Sequence, residues 1–236
     1  MSRVRATIGV VGELSITLGV LLLLFVVWQL GYVGVVESNN QAGIVSGLEQ
    51  QFDAPHPVGG GSPTTSAPLT AADLTDGSVF AVLRIPRLGG PTWAKPVLQG
   101  VGLDVLAKGL GHYPQTQLPG EVGNVSIAGH RAGHGNPLIN IDAIKPGDVM
   151  VLETRDGWYV YRAVRSEIVP PTTVEVLAPV PGQPGVTPTQ AWFTLTSCDP
   201  RYGSTNRYIV FSHLEQTIPR AQGLPEGLLA DPAAQS

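Results

Sequence analysis

The chain holds one cysteine, Cys198, which closes the run Trp192-Phe193-Thr194-Leu195-Thr196-Ser197-Cys198 ahead of Asp199-Pro200. An apolar, β-branched run before a proline turn predicts a strand that carries the thiol to the rim of a sheet. His130 ends a similar run, Asn124-Val125-Ser126-Ile127-Ala128-Gly129-His130. Two strand-terminal residues of these types can meet at one end of one sheet. A thiol with an ordinary pKa of roughly 8.5 needs a base or an imidazolium beside it to serve as a nucleophile. Arg207 opens the following β-type run, nine residues after Cys198. If those two strands pair antiparallel through the 199–206 loop, Arg207 returns beside Cys198. Its guanidinium can stabilise a thiolate, bind substrate carbonyls or hold an oxyanion. Because the third group is a cation and not a carboxylate, the His130 pKa is expected below its ordinary value, with the pair resting as thiol and neutral imidazole. The competing reading of a lone cysteine is a buried structural thiol.

Other side chains of the same types point elsewhere. Arg201 is nearer to Cys198 in sequence but sits in the loop, and is expected to be solvated or to make a turn contact. His130 and His134 have metal-like spacing, yet Gly133, Gly135 and Pro137 make the segment a loop, and no further ligands cluster there. His56 falls in a Pro/Gly-rich stretch, and His213 in a strand among apolar neighbours, so both read as structural. His112, in Gly111-His112-Tyr113-Pro114, is polar and loop-borne and is expected to line a substrate pocket.

The elements that must position these groups are short strands. Gly and Pro together make 50 of the 236 residues (29 plus 21), which argues against a helical bundle. Charged residues are 14% of the chain and the net charge is −4, so no basic field is available for nucleic acid. One cysteine excludes an intramolecular disulfide and a cysteine-based metal cage. Candidate strands are Val79–Ile85, Asn124–Ala128, Asp148–Glu153, Trp158–Val164, Ala191–Thr196 and Tyr208–Leu214, with a hairpin turn at Arg155-Asp156-Gly157. Short helices are predicted at Leu103–Lys108 and Pro137–Ile144. The pattern implies an all-β fold, closed or sandwiched.

Residues 14–36 carry no charge, and 23 residues of helix span about 34 Å, enough to cross a bilayer. Arg3 and Arg5 precede the run and Glu37 follows it, so residues 1–13 are expected in the cytoplasm and the rest of the chain outside. Residues 37–75 read as an extracellular spacer. It would start as an exposed helical piece with Ile44, Val45 and Leu48 and continue into the Pro/Gly-rich stretch. Residues 76–216 are expected to form the exported domain that carries these groups, and 217–236 read as a flexible tail.

The run Thr194–Cys198, Arg207 nine residues later and Gly129-His130 upstream together resemble the sortases. Three stretches, 111–131, 137–148 and 198–214, resemble the class E sortases of high-GC Gram-positive bacteria. Ser197 stands where Thr is usual, which keeps a hydroxyl. The resemblance implies a closed eight-stranded β-barrel and a cysteine transpeptidase with no metal or other cofactor. It would cut an LAxTG or LPxTG sorting signal between Thr and Gly through a thioacyl-enzyme on Cys198. A peptidoglycan-precursor amine would then accept the protein. His130 is implied as acid and base and Arg207 as oxyanion and positioning group. Tyr113 matches a tyrosine linked to the LAxTG preference, and Thr196 and Ser197 are implied to add hydroxyl or backbone donors. Implied partners are signal-bearing secreted proteins, the amine acceptor and the lipid bilayer. Two other functions stay open at this point: a thiol endopeptidase, and a non-catalytic membrane-tethered β-domain that binds wall components.

Overall fold

The computed structural model describes residues 2–28, 32–53 and 69–230. Eight strands close into a barrel in the order β1-β2-β3-β4-β7-β8-β6-β5. They are β1 (Val79–Arg84), β2 (Ala94–Gln99), β3 (Leu110–His112), β4 (Gly123–Gly129), β5 (Val149–Thr154), β6 (Gly157–Val169), β7 (Ala191–Asp199) and β8 (Asn206–Pro219). The six predicted strands are all present, with β6 and β8 longer than expected. Two more strands had little sequence signal. β2 contains Pro96, which cannot donate to a ladder. It is tolerated because the pairing with β3 begins one residue later, at Val97 with Leu110. β3 is only three residues long.

The β5–β6 hairpin turns on Arg155 and Asp156 between the paired residues Thr154 and Gly157. Gly157 has φ 151°, and a Cβ there would lie 2.1 Å from the Ile218 carbonyl oxygen of β8, so only glycine lets the strands meet. Alternate residues of the strands, among them Leu83, Ile127, Met150, Tyr161, Phe193 and Leu195, fill the interior. The short helix α3 (Leu103–Leu106) agrees with expectation. The 137–144 stretch is helical only at a 3₁₀ turn, Ile141–Ala143.

Two helices precede the barrel. α1 (Ser2–Val27) contains a span, Thr7–Val27, that is long and apolar enough to cross a membrane, with a mean hydropathy of 2.5 and none of it buried. This span shares residues 14–27 with the expected run of 14–36. Glu13 lies within α1, and residues 33–36 belong to the next helix.

That next helix, α2 (Val33–Asp53), corrects the spacer expectation for residues 37–53. Val45, Leu48 and Phe52 recur at helical spacing and are buried on Val82 of β1, with Val79 and Ala94 alongside. Glu49 pairs with Arg84, and Asp53 with Arg220 at 3.1 Å. The tail expectation is corrected too. β8 continues to Pro219, and Leu224, Leu228 and Leu229 pack on Val151, Trp158, Val160 and Ile218. Residues 54–68, with His56, and 231–236 lie outside the described residues.

Candidate active site

β7 shows how the chain sorts its side chains. Phe193 and Leu195 enter the barrel core, so the alternation turns Thr194, Thr196 and Cys198 to the outer face. β4 runs parallel to β7 with Gly129 opposite Ser197, which brings His130 to the next rung, level with Cys198. β8 runs antiparallel to β7 with Arg207 directly opposite Cys198. The three expected residues therefore share one end and one face of three adjacent strands.

Cys198 is partly exposed. His130 is half-buried, and its Nε2 is enclosed with no hydrogen-bond partner among the described residues. Burial holds its pKa below the ordinary value of 6.5; the neighbouring His134 lowers it further, and Glu37 opposes them. The direction matches expectation, but the cause differs: burial and a second imidazole take the part expected of Arg207. The His130 and His134 rings stack with centroids 4.6 Å apart. No group of three or more His, Cys, Asp or Glu side chains converges as a metal site among the described residues.

Cys198 stands between two cavities. One, of about 500 Å³, is lined by His130, Arg131, Gly133, Cys198, Arg201 and Ser204. The other, of about 250 Å³, is lined by Tyr113, Val169, Val174, Thr196, Arg207 and Ile209. Arg207 Nη1 donates to the carbonyls of Ser204 (3.0 Å) and Asn206 (2.9 Å), which fixes the guanidinium at the edge of the smaller cavity. Arg201 reaches Asp142 at 3.5 Å and is partly exposed, in keeping with a turn contact, yet it also lines the larger cavity.

Arg131 had been given no role. It is 4% exposed, and it bonds Asp199 at 2.5 Å, Asp142 at 3.1 Å and the Cys198 carbonyl at 3.4 Å. It ties the loop after β4 to the end of β7 and so fixes the spacing between His130 and Cys198. Its signal in the sequence was a charged residue directly after the strand-terminal histidine.

The remaining candidates divide. Thr196 is buried, and its hydroxyl lies 3.4 Å from the Tyr113 hydroxyl, both on the wall of the smaller cavity. Ser197 points away from that face; its hydroxyl donates to the Gly129 carbonyl at 2.9 Å and joins β7 to β4. His112 is 1% exposed and does not reach the site. Its Nδ1 lies 2.7 Å from the Gln99 side chain and its Nε2 2.9 Å from the Gln117 carbonyl, while Phe80 meets its ring edge-on. The pocket role expected of His112 becomes a structural one, because both ring nitrogens are bonded inside the protein.

The family model for the sortase domain matches residues 83–215. The chain is 35% identical over 228 residues to sortase SrtE1 of Streptomyces coelicolor, covering 93% of this chain and 60% of that protein. It is 33% identical over 219 residues to sortase SrtE2 of the same organism, covering 89% and 83%. The solved structure of sortase E from Streptomyces avermitilis shares 43% identity and a TM-score of 0.59 over 65% of this chain and 99% of that one. The chain belongs to the sortase family, whose members are cysteine transpeptidases. Within that family, its sequence and its barrel match the class E sortases.

Proposed function

We propose that this chain is a membrane-anchored transpeptidase that cleaves an LAxTG- or LPxTG-type sorting signal between Thr and Gly and passes the protein to a cell-wall precursor amine. Its catalytic domain is residues 76–216, anchored by α1 with the N-terminus in the cytoplasm and the barrel outside. The observation that carries the reading is the rung on which Cys198 faces Arg207 while His130 stands level with them on β4.

The Cys198 thiolate adds to the Thr carbonyl carbon, and the carbonyl electrons move to oxygen. Arg207 has N–H donors beyond those on Ser204 and Asn206, and these meet the oxyanion. Protonated His130 gives its proton to the departing Gly amine as the C–N bond breaks, leaving a thioester on Cys198. The acceptor amine then adds to the thioester, His130 takes its proton, and the C–S bond breaks to restore the thiolate. The apolar wall of Val169, Val174 and Ile209 suits the apolar start of the signal, and Tyr113 and Thr196 narrow the same cavity. The larger, more polar cavity beside His130 suits the leaving Gly and the incoming amine.

Product analysis with an LAxTG and an LPxTG peptide, with and without an amine acceptor, tests the reading. It predicts acyl-acceptor product when the amine is present. Free acid alone under both conditions would mark a hydrolase.

A further inference from the structure

The loop after β4 does not stand alone. Gly133, His134, Gly135 and Asn136 have φ of 82°, 50°, 75° and 51°, four successive residues in the left-handed region. Two of them are not glycine but His134 and Asn136, types that enter this region more readily than most, and contacts from their surroundings help to hold them there. Part of the restraint is local, since Asn136 Oδ1 accepts from the Gly133 N–H at 2.7 Å. The rest comes from α2. Gln41, 1% exposed, donates from Nε2 to the His134 carbonyl at 2.9 Å and accepts from Lys95 of β2 at 3.1 Å. Glu37 Oε1 lies 3.3 Å from His134 Nδ1. A Cβ on Gly135 would come within 3.0 Å of the Ser38 backbone nitrogen, so the loop lies flush on the helix. The face of His134 then meets the His130 ring.

We propose that α2 is a positioning element of the active site: Glu37 and Gln41 hold the 133–136 loop so that His134 sets the His130 ring beside Cys198. This rests on the catalytic role given to His130 above. The chain that follows the membrane helix thereby acts on the site as well as tethering it. Nε2 of His130 has no hydrogen-bond partner among the described residues to orient the ring. The stacked His134 ring supplies an orienting surface, and the Glu37 carboxylate offers His134 an ion pair when it is protonated. The other charged and titratable groups around the loop are Arg131 with Asp199 and Asp142, Arg201 on Asp142, Lys95 on Gln41, and Cys198. Arg131 and Lys95 are engaged with these partners, so Glu37 is the one carboxylate in contact with either histidine among the described contacts.

The test uses the full chain in detergent or nanodiscs, with Glu37→Gln, His134→Phe and His130→Ala, an LAxTG peptide, and NMR titration of the His130 ring. Proton transfer by a histidine contributes roughly 10²–10⁴-fold, and loss of one orienting contact should remove about five- to ten-fold of it from kcat. Peptide KM should stay within about two-fold, since the smaller cavity lies on the other side of Cys198. The His130 titration should move down in Glu37→Gln, which removes a neighbouring negative charge, and up in His134→Phe, which keeps a stacking ring but removes a neighbouring cation. Thermal unfolding should change little in either variant. Unchanged kcat and an unmoved His130 titration in both, beside an inactive His130→Ala, would overturn this inference alone. Cleavage surviving in His130→Ala would overturn the catalytic role of His130 and this inference with it.

Discussion

The two sides of Cys198 are built from different materials. On the Arg207 side, side chains from β7 and β8 meet the 169–177 segment in a small, largely apolar cavity whose polar side chains are Tyr113, Thr173, Thr196 and Arg207. On the His130 side the wall is loop, residues 130–133 and 201–204, and the cavity is about twice as large and more polar. The strand-borne part of the Arg207-side wall, Thr196, Arg207 and Ile209, is rigid and would suit the proposed recognition of one extended peptide. A loop-borne wall would adapt to the two visitors of the proposed reaction, the departing glycine and the incoming amine, but must then be held so that the histidine keeps its place. Arg131 and α2 provide that hold from two directions. On the proposed function, recognition would rest on strand residues Thr196, Arg207 and Ile209 together with the 169–177 segment, and proton transfer on a loop braced from outside.

The sharpest way to break this contrast is to change the cation on each side. Arg207→Lys keeps a charge but loses the planar fork. Loss of an oxyanion donor costs roughly 10²–10³ in kcat, and a fall of that order is expected in a peptide-cleavage assay. Arg201→Ala should cost no more than about three-fold, since an exposed pair of this kind contributes little. If Arg201 proves the costlier loss, the oxyanion lies on the His130 side and the division of labour is inverted.

A finer contrast is between adjacent hydroxyls. Ser197→Ala leaves the Gly129 carbonyl without its buried donor and should lower unfolding free energy by about 1–3 kcal/mol, with KM unchanged in the folded enzyme. Thr196→Val keeps the shape of the wall but removes the partner of Tyr113, and should raise peptide KM by about two- to ten-fold. Equal KM effects from the two would mean the faces of β7 are misassigned.

The smallest expected effect is on acid stability. His112 is held below the ordinary pKa of 6.5, mainly by burial, against the Gln117 carbonyl and Glu121, which raise it. A lowered folded-state pKa means the folded form resists protonation. The stability it contributes is therefore present above about pH 6.5 and is lost as pH falls through the lowered value. Thermal unfolding between pH 7 and pH 5 should show a fall in Tm that is shallower in His112→Gln. His130 and His213 are shifted in the same direction, so part of the fall should remain. An identical fall in both proteins would remove His112 from the account.

The meeting of Cys198, His130 and Arg207 was legible in the sequence because each stands at the end of a β-type run and the 199–206 loop is short enough to return the chain antiparallel. Period-two alternation also separates Thr196 from Ser197, a signal that treating both as site residues overlooks. His112 misled because polarity is visible in a sequence while the Gln99 and Gln117 partners that bury it are supplied by the fold. α2 was expected only as a short exposed helical piece, and its packing was hidden for a related reason: its apolar stripe is only three residues long, and Phe52 stands at the entrance to a Pro/Gly-rich stretch. No local pattern links Glu37 to His134, since only barrel closure brings α2 against the loop after β4.

The central claim is that Cys198 carries the acyl group. Intact-mass measurement of the protein mixed with LAxTG peptide and no amine acceptor tests it most directly, because the chain has a single cysteine on which a thioester can form. The account predicts a gain equal to the peptide's acyl portion through Thr, located on Cys198, discharged by added amine and absent from Cys198→Ala. Peptide cleavage by Cys198→Ala, or an adduct on any other residue, would contradict it.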